Sequence, residues 1–403
     1  FFQAEDGIRD YKVTGVQTCA LPILKRVGCN PTCLTPLQSV KMKLEETVDH
    51  AIDILRRWEK GETHFSLTTS GSTGEPSEIK HSRSALQWSA ESTLSTWFQT
   101  SHSLPTDGMI PPIQLCILPL NKAGGFMQLI RSAVWQSPIW ISAASASPFQ
   151  FPVNAQNEAP WVLLLNGQAL PFSLERWEKY PPQLLSITPM QLQLAIGEPT
   201  GKQILKSMHT VLIGGQALSQ DLENQLLTDF PNTRWIHTFG STETASHFAG
   251  RILNGSNTEY TLTMGSSLTT TESGEIQISN PATNHRKITL HDKIHQTSPN
   301  TFIWLERTNL YVNSGGVKIP IESLEKDISA ILHWPLFSFY LAGKPHPVLG
   351  EELTLFTTHT HPEPNTIHQQ LLELPKLHQP KTIVLIPTVH LSENGKIVRK
   401  INP

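Results

Sequence analysis

Long apolar runs are missing from this chain. No stretch of about eighteen apolar residues occurs, which removes the usual signature of a membrane-spanning helix. Cysteine is scarce: Cys19, Cys29, Cys33 and Cys116 are the only four, and Cys29 and Cys33 do not have the C-x-x-C spacing of zinc or redox pairs. Reduced thiols in a cytoplasmic protein are therefore expected. An excess of one charge is also lacking, with 31 basic against 34 acidic residues and a formal net charge of -3, so neither nucleic acid nor an anionic membrane is indicated as a partner. No internal repeat is present. A basic start followed by a long apolar stretch is absent too, which argues against a secretory signal.

The first 23 residues, FFQAEDGIRDYKVTGVQTCALPI, carry no helical or alternating period and resemble translated sequencing-adapter read-through, so they are set apart from the fold. From there the composition is that of a globular protein, 38% hydrophobic and 16% charged, though 30 prolines and 17 histidines are many. The length predicts about two domains. Leu44, Val48, Ile52 and Leu55 recur at helical spacing before Gly61, predicting a helix over Leu37 to Trp58, and a second helix is predicted from Ser84 to Phe98. Further on, strands at 114–118, 139–141, 161–165, 184–187, 210–213 and 234–238 alternate with helical stretches, the pattern of a largely parallel sheet covered on both faces. Beyond residue 275 short strands dominate, and the last hundred residues read as a small α+β unit.

Between the first two helices lies Thr69-Ser70-Gly71-Ser72-Thr73-Gly74-Glu75-Pro76. Hydroxyls interleaved with glycines cannot pack a core, and they leave backbone N–H groups available to an anion. The loop alone is also compatible with a flexible linker. Gly-Lys-Ser/Thr does not follow Gly74, and no third glycine completes G-x-G-x-x-G, so the two commonest phosphate loops are excluded. A strand-to-helix turn is expected here, with a helix N-terminus adding positive potential. Two more candidate sites fall at strand ends, where parallel sheets bind ligands. Gly214-Gly215-Gln216 offers bare backbone to a flat ring, and Phe239-Gly240-Ser241-Thr242-Glu243-Thr244 offers a hydroxyl and a carboxylate, although a capped helix start is the alternative for the latter.

Taken in order, these stretches resemble the motifs of the adenylate-forming superfamily, the acyl-CoA synthetase or AMP-binding enzymes. The resemblance implies an α/β fold: a large N-terminal domain over 24–308 with mostly parallel sheets flanked by helices plus a strand-rich subdomain, and a small mobile α+β lid over 309–403. It implies that Thr69 to Gly74 and Lys80 bind the ATP phosphates, that Gly214, Gly215, Gln216, Phe239 and Gly240 bind the nucleotide, that Thr242 contacts phosphate and that Glu243 holds Mg2+. A carboxylate suits that hard cation. By the same match Asp292 takes the ribose hydroxyls, Arg307 contacts the nucleotide, Asn309 is the hinge, and Ser314-Gly315-Gly316 forms a loop on the coenzyme A side. Lys396, in Glu393-Asn394-Gly395-Lys396, matches the superfamily's catalytic lysine. Its chemistry is direct: a carboxylate attacking a phosphate builds charge between two anions, and an ammonium bridging them lowers the barrier.

Two departures stand out. The loop's usual final lysine falls on Ser77, leaving Lys80 three residues later as the nearest cation, and Phe239 replaces the customary tyrosine. Within the superfamily, the short stretch before the loop resembles the compact, Bacteroidetes-type o-succinylbenzoate:CoA ligases of menaquinone biosynthesis. Ser186-Ile187-Thr188-Pro189-Met190-Gln191-Leu192, Ala123-Gly124-Gly125-Phe126-Met127 and Thr242-Glu243-Thr244-Ala245-Ser246 point the same way. The implied reaction joins a small carboxylic acid to ATP, releases pyrophosphate, and passes the acyl group to coenzyme A. Such an acid carries a second carboxylate, for which Arg131 and Lys122 are candidates by position. Another carboxylate:CoA ligase, a carrier-charging adenylation domain and a nucleotide binder without turnover remain as alternatives.

Overall fold

The structure, a computed structural model, describes residues 36–68, 78–98, 111–145, 147–149, 160–307, 310–391 and 397–401. Two compact units divide the chain, Phe1–Ser39 and Val40–Pro403, and the architecture below is that of the second. The prefix 1–23 lies outside the described residues. Among the described residues no helix is long and apolar enough to cross a membrane.

The helical spacing at Leu44 to Leu55 forms α1 (Pro36–Glu59), which buries Val48, Ala51, Ile54 and Trp58. It is followed by β1 (His64–Thr68), β2 (Glu78–Ser82) and α2 (Arg83–Trp97), whose first turn is capped by the Ser82 hydroxyl accepting from the Ala85 N–H. Strands β1 and β2 pair antiparallel from His64↔Ser82 to Thr68↔Glu78. The loop 69–77 therefore joins the arms of a hairpin, and the strand-to-helix turn expected there is corrected. The second arm escaped notice because only Ile79 and His81 of its five residues face inward, and one of those is a histidine.

Next come β3 (Gln114–Cys116), α3 (Ala123–Trp135), β4 (Ile139–Ser142), β5 (Trp161–Leu165), β6 (Gln168–Pro171), α4 (Leu174–Lys179), β7 (Leu184–Ile187), α5 (Pro189–Gly197), α6 (Pro199–Ser207), β8 (Thr210–Ile213), α7 (Gln220–Asp229) and β9 (Arg234–Gly240). Strands β4, β3, β7, β8 and β9 lie side by side in parallel. Continuous apolar runs suit them because both faces are covered. Alternation still sorts the side chains: Leu115 and Trp140 pack into one core with Leu185, Val211 and Trp235, whereas Cys116, Ile139 and Ile141 pack into another with Phe65, Leu86 and Met127. Each such fully buried aliphatic side chain contributes about 1.5–3 kcal/mol, so the two cores hold the sheet between its helices.

After β9 the crossovers of this sheet give way to hairpins, and its parallel pairing stops with them. Strands β10 (His247–Ile252), β11 (Glu259–Leu262), β12 (Ser267–Thr270), β13 (Glu275–Ser279), β14 (Ile288–Ser298) and β15 (Thr301–Arg307) continue the same sheet antiparallel. The strand-rich part is thus one edge of a thirteen-stranded sheet, ordered β12-β13-β14-β15-β11-β10-β9-β8-β7-β3-β4-β5-β6. Asp292 lies inside β14. A second sheet follows from β16 (Tyr311–Ser314), β17 (Val317–Pro320), α8 (Ile321–Leu332), β18 (Phe339–His346), β19 (Gly350–Thr357), α9 (Pro364–Gln370) and β20 (Thr382–Leu385), with its own core of Val312, Ile319, Leu324, Ile328, Phe339 and Leu355.

Candidate active site

The carboxyl ends of β7, β8 and β9 open into a cavity of ≈ 200 Å³. Six of the residues expected from the sequence line it: Lys122, Arg131, Gly214, Gly215, Gly240 and Thr242. Gly214 follows β8 directly, and a Cβ there would stand 2.5 Å from the Thr238 hydroxyl. Gly215 has φ +86°, a conformation open to glycine. At Gly240 a Cβ would meet the Ser246 carbonyl at 2.4 Å, so β9 and β10 can converge here only without a side chain.

Thr242 opens a short 3-10 turn, Thr242–Thr244, that ends in strain. Ala245 is fully buried with φ 63° and ψ -40°, and the Ser246 N–H donates back to the Thr244 carbonyl at 2.7 Å. This is a γ-turn, a conformation that costs of order 1–3 kcal/mol for a residue with a Cβ and tends to occur at functional sites. It turns the chain sharply enough to bring Thr242, Ser246 and His247 to one cavity wall. A histidine from the hairpin pins the turn: the Nε2–H of His81 donates to the Thr242 carbonyl at 2.7 Å. Burial pulls the His81 pKa below 6.5, against the carbonyls of Thr242 and Ala282 and the charge of Glu243, so its ring is neutral at pH 7. The arms of the loop and the Thr242-Glu243 turn are thereby coupled.

Glu243 is exposed beside this turn and does not line the cavity. Among the described residues no group of three His, Cys, Asp or Glu could hold a metal. A single carboxylate nevertheless fits Mg2+, which keeps waters and takes phosphate oxygens for most of its shell.

Arg131, only 3% exposed, is the most unusual group in the cavity wall. Its Nη2 donates to the Ser246 hydroxyl at 3.3 Å and to Nδ1 of His247 at 3.4 Å, and its Nε has no partner among the described residues. Burial pulls its pKa down to about 10, and among the described residues no carboxylate offsets that fall. His247 is held neutral, well below 6.5, by burial and by the neighbouring guanidinium. Its Nε2–H therefore donates to Thr93, at 3.2 Å, and the Thr93 hydroxyl donates to the Ser89 carbonyl. The Ser89 hydroxyl donates to Ser246 at 3.0 Å. This network aims donors, including a buried cation, at the cavity, so its complement is an anionic acceptor.

Other expected residues lie apart from the cavity lining. Lys80 is exposed on β2, and its charge acts on Glu62. Gln216 presents its carbonyl to His237 (3.0 Å). Phe239 packs edge-to-face on Phe248, Tyr260 and Phe302 at 5.5 to 5.6 Å. Asp292 and Arg307 face each other across β14 and β15, and the Asp292 carboxylate accepts from the Trp304 indole at 3.0 Å. Burial raises the Asp292 pKa against the opposing effects of Arg307 and Trp304. Ser314 ends β16, and Gly315 (φ 62°) and Gly316 (φ 84°) form the two-residue turn into β17. Thr69, Ser70, Gly71, Ser72, Thr73, Gly74, Ser77, Asn309 and Lys396 lie outside the described residues. Sequence reasoning missed His81, Ser89, Thr93 and Thr238. Only His81 had a local signal, its alternation with Ile79.

Residues 35–286 match the model of the family described as AMP-binding enzyme. No curated protein matches the chain. Among solved structures, an acyl-CoA synthetase (AMP-forming)/AMP-acid ligase II-like protein from Dyadobacter fermentans is 24% identical with a TM-score of 0.52, over 87% of this chain and 92% of that one. The o-succinylbenzoate coenzyme A synthetase of Bacillus subtilis in complex with ATP and magnesium ion is 15% identical with a TM-score of 0.60, over 82% of this chain and 68% of that one. The Bacillus enzyme in complex with the acyl-adenylate intermediate gives 16% identity and a TM-score of 0.59, over 82% and 67%. At these identities the likeness is one of fold.

Proposed function

This chain belongs to the AMP-binding enzyme family, and from that premise we propose that it is an ATP-dependent, AMP-forming acid:coenzyme A ligase acting on o-succinylbenzoate. Membership carries the activation of a carboxylate through an adenylate; the identity of the acid is our own reading. The observation that supports it most is Arg131, a buried guanidinium at the cavity wall with no carboxylate beside it among the described residues. An aromatic acid with a second carboxylate would supply the missing anion, and Ser246 would add a donor beside it. The o-succinylbenzoate synthetase among the structures of like fold, and the Ser186 to Leu192 segment at the end of β7, support the same acid.

In this reading the acid's reacting carboxylate attacks the α-phosphorus of ATP while the bridging P–O bond breaks and pyrophosphate leaves. The thiol of coenzyme A then displaces AMP. Gly214, Gly215 and Gln216 would take the adenine, with Phe239 and Gly240 completing the nucleotide site. Asp292 would accept from the ribose hydroxyls, Arg307 would contact the nucleotide, and the Thr242 hydroxyl would hold a phosphate oxygen. Glu243 would hold Mg2+, which when bound supplies charge neutralisation on the phosphates. Lys396 would bridge the two reacting anions, brought in and withdrawn by a lid over 309–403 that swings at Asn309 and offers Ser314-Gly315-Gly316 to coenzyme A.

Residues 24–403 with Mg-ATP, coenzyme A and o-succinylbenzoate should release pyrophosphate and AMP and form the thioester. Release with benzoates or fatty acids but not with o-succinylbenzoate would overturn the choice of acid while leaving the ligase reading intact. Nucleotide binding without turnover of any acid would overturn both.

A further inference from the structure

We propose that Lys122, at the start of α3, supplies the protein charge that neutralises the ATP phosphates in this cavity, the role the sequence suggested for Lys80. The proposal rests on the nucleotide reading above and is independent of which acid is used.

The loop itself brings no cation. From Thr69 to Ser77 there is no lysine, arginine or histidine, and Glu75 adds a negative charge. A polyphosphate at this loop must therefore find its positive charge on another segment. Lys80 has the right spacing but the wrong direction. In β2 it shares the exposed face with Glu78, opposite the face that carries buried His81, and its charge falls on Glu62.

Lys122 comes from a distant part of the chain and meets the last residue of β1. Its Nζ donates to the hydroxyl of Thr68 at 3.1 Å, and that hydroxyl donates to the Asn121 carbonyl at 3.1 Å. Thr68 is the last residue of β1, the strand that leads into the loop, and Thr68, Lys122 and Thr242 all line the cavity.

The position is electrostatically odd for a lysine. Lys122 is the N-cap of a 13-residue helix, where capping residues normally accept from the first-turn N–H groups, and its side chain makes no such bond. A cation there also faces the positive end of the helix dipole. An anion in the cavity resolves both defects, because the ammonium and the uncapped first turn, with Ala123, Gly124 and Gly125 on the cavity wall, would act on it together. The other cation of the lining, Arg131, lies with Ser246 and His247. The two cations thus divide the work, Lys122 toward phosphate and Arg131 toward the acid.

Calorimetric titration of residues 24–403 with Mg-ATP, Mg-pyrophosphate and AMP tests this without any acid present. Lys122→Gln should bind Mg-ATP and pyrophosphate roughly ten- to a hundred-fold more weakly, since a charge-assisted contact is lost, and AMP by less than about three-fold. Lys122→Arg should recover most of the loss, and it also guards against a Gln variant that fails to fold. Unchanged Mg-ATP affinity, an equal loss for AMP, or a larger loss in Lys80→Gln than in Lys122→Gln would each overturn the assignment. So would a Lys122→Gln enzyme in which only the KM for the acid rises. Because wild-type nucleotide binding is read first, failure of the ligase reading and failure of this proposal give different results.

Discussion

Replacing Arg131 with methionine separates a binding role from a structural one, because the two push stability in opposite directions. Burial lowers the guanidinium pKa from its ordinary value to about 10. Such a fall corresponds to about 3 kcal/mol against the charged form. At pH 7 to 8 the group is charged in both the folded and the unfolded chain, so the whole penalty is present; it is relieved only as pH rises above about 10 toward the guanidinium's ordinary range. The contacts that offset it, at 3.3 Å to Ser246 and 3.4 Å to His247, are long. They contribute at most about 1 kcal/mol each. Methionine has a similar length and no charge, so Arg131→Met should unfold with a free energy equal to the parent's or higher by up to about 2 kcal/mol. The same variant should lose roughly ten- to a hundred-fold in kcat/KM for o-succinylbenzoate, whereas any slow turnover of benzoate should change by less than about three-fold. Urea unfolding at pH 7.5 and pyrophosphate release with the two acids give both readouts. A variant destabilised by more than about 1 kcal/mol with its preference between the acids intact would refute the argument and make Arg131 a structural residue.

Acid sensitivity should trace to buried histidines. His237 accepts from the Tyr260 hydroxyl at 2.8 Å and donates to the Gln216 carbonyl, and burial lowers its pKa to about 4. Its contribution is complete above about pH 6.5 and is lost as pH falls toward 4, so between pH 7 and 4.5 His237→Gln should lose about 2 kcal/mol less unfolding free energy than the parent. Parallel pH curves for the two proteins would count against this. In the second sheet, Glu325 on α8 accepts from Arg399 at 2.7 Å and from the Leu341 N–H at 2.8 Å. Glu325→Ala should cost about 3 kcal/mol in urea unfolding because Arg399 and a buried N–H lose their acceptor, and a cost below about 1 kcal/mol would show that water replaces it.

Much of the fold was readable where local pattern and burial coincide. The apolar runs at 184–187 and 210–213 are strands because both faces of a parallel sheet are covered, and the helix around Leu44 to Leu55 has the spacing of one buried stripe. Strands β2 and β10 were not readable. One has four polar side chains among five, and the other, His-Phe-Ala-Gly-Arg-Ile, includes Gly250, whose α-carbon lies under the Trp97 ring. Their partners, rather than their own residues, make them strands.

For the site, the sequence by itself determined the kind of chemistry: a hydroxyl- and glycine-rich loop, glycines at the end of β8, and a hydroxyl beside a carboxylate after β9 are local and carry their meaning in residue type. Only the tertiary structure decided which charges face the cavity. The contacts that orient Lys122, Arg131 and the Thr242 turn span 54, 116 and 161 residues of sequence. A one-residue step along β2 turns a side chain from the His81 face to the Lys80 face, so spacing alone ranked Lys80 first although its charge points outward. Burial likewise depends on which elements close over a side chain, and that is why Arg131 could be named from its position but not known to lack a carboxylate partner among the described residues.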